Sequence, residues 1–333
     1  MAKSNHHSPY ERFVCRPFAF AGAGFFCSYV IGILLMQLTR IPALSFLSSL
    51  ANVLGPDSLL IGAVVGAGIA FGMVDSPLCI LSAAVAGAVG YSFAGFFSAM
   101  ISAYICSLLA VFVHGKTRAD ILLIPVVCTS GGVLVSLVLA PAVSSLYALC
   151  GGLIMKTNLL PEKAMYPLSA LLGAFFSVTP LSMPAVSASV TDPAVSGAAF
   201  IGCCASMVSF AIASHKQNGI CSTLAHALGS PRLQMGNITR NPVILLAPLL
   251  SAALAGFVSS FFGFTCDPSL IPQALTMLSG PIAILSAVSS DWFFMLAQLI
   301  VCSVIIPAAV TIPLCRLLFG MHASKGQYMK LDL

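Results

Sequence analysis

The sequence predicts an all-α, polytopic transmembrane helical bundle. Three observations predict it. Of the 333 residues 59% are hydrophobic and only 7% are charged, whereas soluble domains carry about 25% charged residues. The mean hydropathy is +1.04. Apolar runs reach about 20 residues, the length that crosses a hydrocarbon core ~30 Å thick. No water satisfies the backbone inside lipid, which leaves helices or closed barrels; barrel strands alternate polar and apolar residues, and these runs do not.

The elements follow in order. The basic start MAKSNHHSPYERFVCRPF precedes an apolar run from Ala19 to Leu38, longer than the ~7–15-residue core of a signal peptide, and reads as an uncleaved first span. Further apolar segments lie at 58–74, 77–92, 94–113, 120–150, 164–182, 184–213, 243–264, 270–289 and 292–320. This gives about ten hydrophobic segments. Segments 120–150 and 292–320 exceed a simple span, so they tilt, break or run past the membrane. Lys3, Arg12 and Arg16 flank the first segment, and Arg316, Lys325 and Lys330 follow the last. The positive-inside rule then puts both termini in the cytoplasm with an even number of crossings. Re-entrant or broken helices would lower that number without altering the hydropathy. The runs GAVVGAGIAFG (62–72) and GAVGYSFAG (87–95) place small residues at helical spacing, so these two segments pack closely on each other or across a dimer.

Several functions are excluded. The net charge is +5, but the basic residues are scattered among short loops, so no nucleic-acid partner is expected. Most of the twelve cysteines, including Cys27, Cys79, Cys106, Cys128, Cys150 and Cys302, sit within apolar runs as small hydrophobes. Cys203 and Cys204 are adjacent but have no His or acidic residue at ligand spacing. No metal and no cofactor is predicted. No paired carboxylates or Ser/His/Asp arrangement at membrane depth suggests an intramembrane enzyme.

The chemistry concentrates where the apolar runs break. Asp57, Asp120, Asp267 and Asp291 stand beside span ends as caps or solvated groups, while Asp75 lies in GMVDSPLC and Asp192 in SVTPLSMPAVSASVTDPAVSG. The latter holds Pro180, Pro184 and Pro193 together with five serines and two threonines. Proline removes a donor and frees carbonyls, and in a membrane such backbone is tolerated where it is buried in protein or lines a wet cavity. A second break, Ser279-Gly280-Pro281, interrupts 276–291. Two interrupted segments point to a solute site near the midplane, with hydroxyls and half-helix ends suited to a polyol such as a sugar. The alternative is two kinks whose serines bond back to their own helices. Between them, Ile220, Leu224 and Leu228 repeat every four residues after Asn218 and before Gly229 and Pro231. They predict a nine-residue amphipathic helix at the interface, with Ser222 and His226 on another face.

The stretches GCCASMVSFAIASHKQNG (202–219) and LAHALGSPRLQMGNITRNP (224–242) resemble the signature of the bacterial phosphotransferase-system enzyme IIC-like family, in its toxin regulator or perfringolysin O regulator branch. GYSFAGFFSAMISAYI and HGKTRADILLIP extend the likeness more loosely. The resemblance implies an enzyme IIC-like fold in the bacterial inner membrane, forming a homodimer in contact with lipid. It implies a scaffold and dimerisation half over 1–150, and a transport half over 151–333 with re-entrant hairpins. Substrate contacts are then expected at Ser182, Ser187, Asp192, His226, Gln234, Asn237 and Ser279, for a small polar solute, a carbohydrate, moved by alternating access. Glucose-type members carry a membrane-embedded glutamate and histidine. Here Glu162 is the last glutamate, and no phosphoryl-carrying IIA or IIB domain is present in the sequence. A separate IIA/IIB-type or regulatory cytoplasmic protein is therefore an expected partner. A non-transporting sensor that retains the permease fold is the alternative function.

Overall fold

A computed structural model describes residues 8–116, 119–277, 279–287, 292–320 and 328–331; Lys3, Asp291 and Lys325 lie outside them. Every regular element among the described residues is helical. In chain order these are α1 (Glu11–Leu38), α2 (Pro42–Val53), α3 (Leu59–Met73), α4 (Pro77–Val113) and α5 (Asp120–Leu159). They are followed by α6 (Glu162–Val178), the short α7 (Met183–Ser187), α8 (Pro193–Leu228), α9 (Met235–Arg240), α10 (Pro242–Ser259), α11 (Ser279–Ala287) and α12 (Trp292–Leu317). Six of them, α1, α4, α5, α8, α10 and α12, are long and apolar enough to cross a membrane. The ten apolar segments of the sequence do not map one to one onto these six: 58–74 and 164–182 form helices of only 15 and 17 residues, α3 and α6. Segments 77–92 and 94–113 belong to one element, α4. Segment 184–213 is divided between α7 and α8, and 270–289 between a 3-10 stretch (Pro268–Leu275) and α11.

In the first half α3 packs along both α1 and α4, and α5 packs on α4. The contact between α3 and α4 depends on missing side chains: a Cβ on Gly66 would meet Ala83 O, and one on Gly87 would meet Gly62 O, both far inside contact distance. The two glycine clusters thus pack on each other within one chain. In the second half α8 is the axle, with 94% of its most apolar window buried against α6, α10 and α12. The corresponding windows of α5 and α12 are only 22% and 28% buried, which leaves large apolar side chains on the outer surface of the chain.

Helix ends obey ordinary capping chemistry. Asp192 Oδ1 accepts from Ala194 N (2.9 Å) and Val195 N (3.0 Å), with Pro193 at the first position of α8, which satisfies two orphan donors. Arg12 Nε donates to Met73 O at the end of α3 (3.0 Å). The amphipathic helix predicted at 220–228 is present as the last arm of α8, turned off the span at Gly219, whose φ is +73°. Ile220 and Leu224 on this arm are exposed and His226 is buried. Asn218 does not cap the arm; its side chain bonds Met329 O and Leu331 N of the C-terminal tail.

Candidate functional site

A cavity of about 410 Å³ opens where the two halves of the chain meet. From the first half, α1 contributes Phe25 and Tyr29, the turn before α3 contributes Pro56 and Asp57, and α4 contributes Tyr91, Ser92, Gly95 and Phe96. From the second half come Ser182, Met183, Pro184, Arg232 and Leu275.

Several of these groups sit at departures from regular helix. Tyr29 rides on a π-helical turn, Phe26–Val30, a distortion often found at functional sites. In α4 the chain breaks at Ala94 and Gly95, where φ of Gly95 is +67°, a conformation that strains residues bearing a Cβ. The carbonyl freed at Ala94 accepts from Tyr147 Oη (2.7 Å). Ser182 lies in the interrupted stretch between α6 and α8, which the prolines of this stretch keep out of the helices.

Arg232 holds this irregular backbone in place. Its guanidinium lies over the rings of Phe25 (4.5 Å) and Phe96 (4.9 Å), a favourable cation–π arrangement in a desolvated setting. Nε donates to Ser177 O in the last turn of α6 (3.2 Å) and Nη2 to Leu181 O (2.6 Å). The carbonyls released at the break are thereby paired, and the positive charge sits at a helix C-terminus where the dipole favours it. Burial pushes the Arg232 pKa down to about 10, so the side chain remains a cation at neutral pH. It is 1% exposed, and no carboxylate among the described residues forms an ion pair with it.

Two hydroxyls on the cavity wall are unspent. Tyr29 Oη and Ser182 Oγ make no hydrogen bond among the described residues, although both residues line the cavity. Tyr91, by contrast, donates to Pro56 O (2.6 Å).

Of the residues singled out in the sequence, Ser182 lines the cavity. Ser187 Oγ bonds back to Pro184 O (3.0 Å), Asp192 caps α8, and Ser279 bonds Gln273 O (2.9 Å) and the Thr276 hydroxyl, closing the second break upon itself. His226, Gln234 and Asn237 do come together, in a second cluster. Gln234 Nε2 lies 2.9 Å from His226 Nε2 and 3.3 Å from Met329 O; Asn237 Nδ2 donates to Gln234 Oε1 (2.8 Å) and to Lys330 O (2.9 Å). With Gln217 and Asn218 these amides grip the backbone of the tail at 329–331, while the Met329 side chain enters an apolar nest with Val178, Phe210 and Ile244. The turn 231–240 therefore faces two ways, Arg232 toward the cavity and the amides toward the tail. Arg232, Tyr29, Tyr91 and Gly95 are absent from the residues that sequence reasoning selected. The available signal was a polar group inside an apolar frame: CSYVIG, VGYSFAG and GSPRLQ.

Six helices long and apolar enough to cross a membrane, with a cavity lined by residues from both parts of the chain beside interrupted backbone, define an all-helical integral membrane protein. The family model described as "Phosphotransferase system, EIIC" matches residues 18–331. The chain belongs to that family, and membership indicates a membrane component of sugar transport. No curated protein and no solved structure matches it.

Proposed function

We propose that the protein binds a small polar solute, a carbohydrate, in the cavity between its halves and translocates it by alternating access. The observation that carries this reading is the pair of unspent hydroxyls, Tyr29 and Ser182, contributed by opposite halves to one cavity whose walls are broken helices. A solute that bridges the two halves ties its own binding to their relative position, which is what a rocking mechanism requires. Ser182 contacts the solute directly. Ser187, Asp192 and Ser279 hold the interrupted segments in shape, and His226, Gln234 and Asn237 hold the turn that carries Arg232. The reading includes a homodimer in the bacterial inner membrane with both termini cytoplasmic, and separate IIA/IIB-type partners.

The test is uptake of labelled sugars by the purified protein in proteoliposomes, comparing wild type with Ser182→Ala and Tyr29→Phe. Accumulation that falls about tenfold in the variants supports transport, the size expected when hydrogen bonds to a bound solute are lost. A second reading, a sensor of the regulator branch, is favoured by the lack of any glutamate after Glu162. Ligand-dependent capture of a cytoplasmic partner, with no accumulation of any sugar in vesicles, decides for the sensor.

A further inference from the structure

We infer that the solute carries an anionic group, a carboxylate or phosphate monoester, and that Arg232 receives it. The inference rests on the cavity being a solute site and specifies the chemical class of the guest. A guanidinium has five N–H donors in a fixed fork. Here Ser177 O and Leu181 O take one each, and among the described residues no side chain accepts from the others. The rings of Phe25 and Phe96, with centroids 4.9 Å apart, stand together on one side of the guanidinium, and Arg232 itself lines the cavity, where a further acceptor can be met.

A charge buried this fully within protein is expensive and is ordinarily matched by a counter-charge. The backbone carbonyls supply partial compensation, and a full counter-charge is missing. The one carboxylate on the cavity wall, Asp57, is solvent-exposed and forms no ion pair with Arg232 among the described residues. Tyr29 Oη and Ser182 Oγ stand on the same wall as neutral groups able to bond either a sugar hydroxyl or an anionic oxygen. A neutral polyol would engage the hydroxyls and leave the cation unmatched. A polyol bearing a carboxylate or phosphate engages both, and planar bidentate recognition of such oxygens is what arginine does best.

The experiment is equilibrium binding of labelled glucose, glucuronate and glucose 6-phosphate to the full-length protein in nanodiscs of uncharged phosphatidylcholine, with wild type, Arg232→Gln and Arg232→Lys. We expect at least one anionic probe to bind wild type about tenfold or more tightly than glucose, and that preference to vanish in Arg232→Gln, since hydrogen bonds to charged groups contribute on the order of tenfold to a hundredfold. Arg232→Lys retains part of the preference. Should Arg232→Gln fail to fold, the three-probe comparison on wild type decides by itself. Glucose bound as tightly as both anions overturns the anionic solute and leaves the carbohydrate reading standing. No binding of any probe overturns both. Anionic binding that disappears in phosphatidylglycerol nanodiscs assigns the acceptor to a lipid headgroup and likewise overturns the inference of a small anionic solute.

Discussion

Gly22 on α1 touches the backbone of the turn that carries Arg232, so its replacement by alanine perturbs the cavity without changing any residue on its wall. A Cβ built on Gly22 falls 2.2 Å from Arg232 O and 3.0 Å from Arg232 C, whereas ordinary contact begins near 3.4 Å. The neighbour is main chain, which cannot rotate aside as a flexible side chain would. The turn must therefore retreat from α1 by about 1 Å. Arg232 Nη2 now lies 2.6 Å from Leu181 O, and a retreat of that size takes it past the ~3.5 Å at which a hydrogen bond is lost. Overpacking of this kind costs ~1–3 kcal/mol, set against the ~0.5–1 kcal/mol that alanine gains over glycine in a helix. The net effect is a destabilisation of about 1–2 kcal/mol and a melting temperature lower by a few degrees. The internal control is Gly152→Ala in α5, where a Cβ meets nothing within 4 Å; it should melt at or above wild type. The assay is a thermal melt in detergent with solute binding measured on the same preparations. If Gly22→Ala melts and binds like Gly152→Ala, the close packing of α1 on the Arg232 turn is wrong.

Three further outcomes follow from the same geometry. Gly95→Ala places a Cβ at a residue with φ of +67° and 3.2 Å from Ser182 Oγ; it should cost ~1–2 kcal/mol in a melt and weaken solute binding. Asp192→Ala leaves Ala194 N and Val195 N without their acceptor, for a loss of ~1 kcal/mol that Asp192→Asn largely restores. Asn218→Ala removes one donor to Met329 O and the acceptor of Leu331 N, so carboxypeptidase should trim the tail several-fold faster, the tail having lost ~1 kcal/mol per bond; an unchanged trimming rate would mean that Gln217, Gln234, Asn237 and the Met329 side chain hold it without Asn218.

What could be read from the sequence is local in character. The helical class, the close approach of 62–72 on 87–95, the interruptions at 179–192 and 276–281, and the arm at 220–228 all follow from composition, glycine spacing and proline placement within a single stretch. Arg232 was out of reach for a different reason. Its hydrogen-bond acceptors lie 55 and 51 residues upstream, and nothing in GSPRLQ says whether the arginine faces lipid headgroups or folds inward. The tail grip joins Asn218 to a residue 111 positions later, and the break at Gly95 resembles any other glycine in a run of small residues. Serines illustrate the same limit: Ser177, Ser187 and Ser206 bond carbonyls of their own helices, while Ser182, of the same type and nearly the same context, is left free on the cavity wall. Side-chain type announces that a hydroxyl is present, and only the fold decides whether it is already spent.

The proposed function requires water and solute to reach the interrupted backbone beside Ser182. Its direct test is the reaction of Ser182→Cys with a charged, membrane-impermeant thiol reagent, in a background where the exposed Cys27 and Cys221 are replaced by serine, with Ser206→Cys in the buried face of α8 as the comparison. The account predicts rapid modification at 182, slowed by bound solute, and no modification at 206. Equal inertness at the two positions would contradict it.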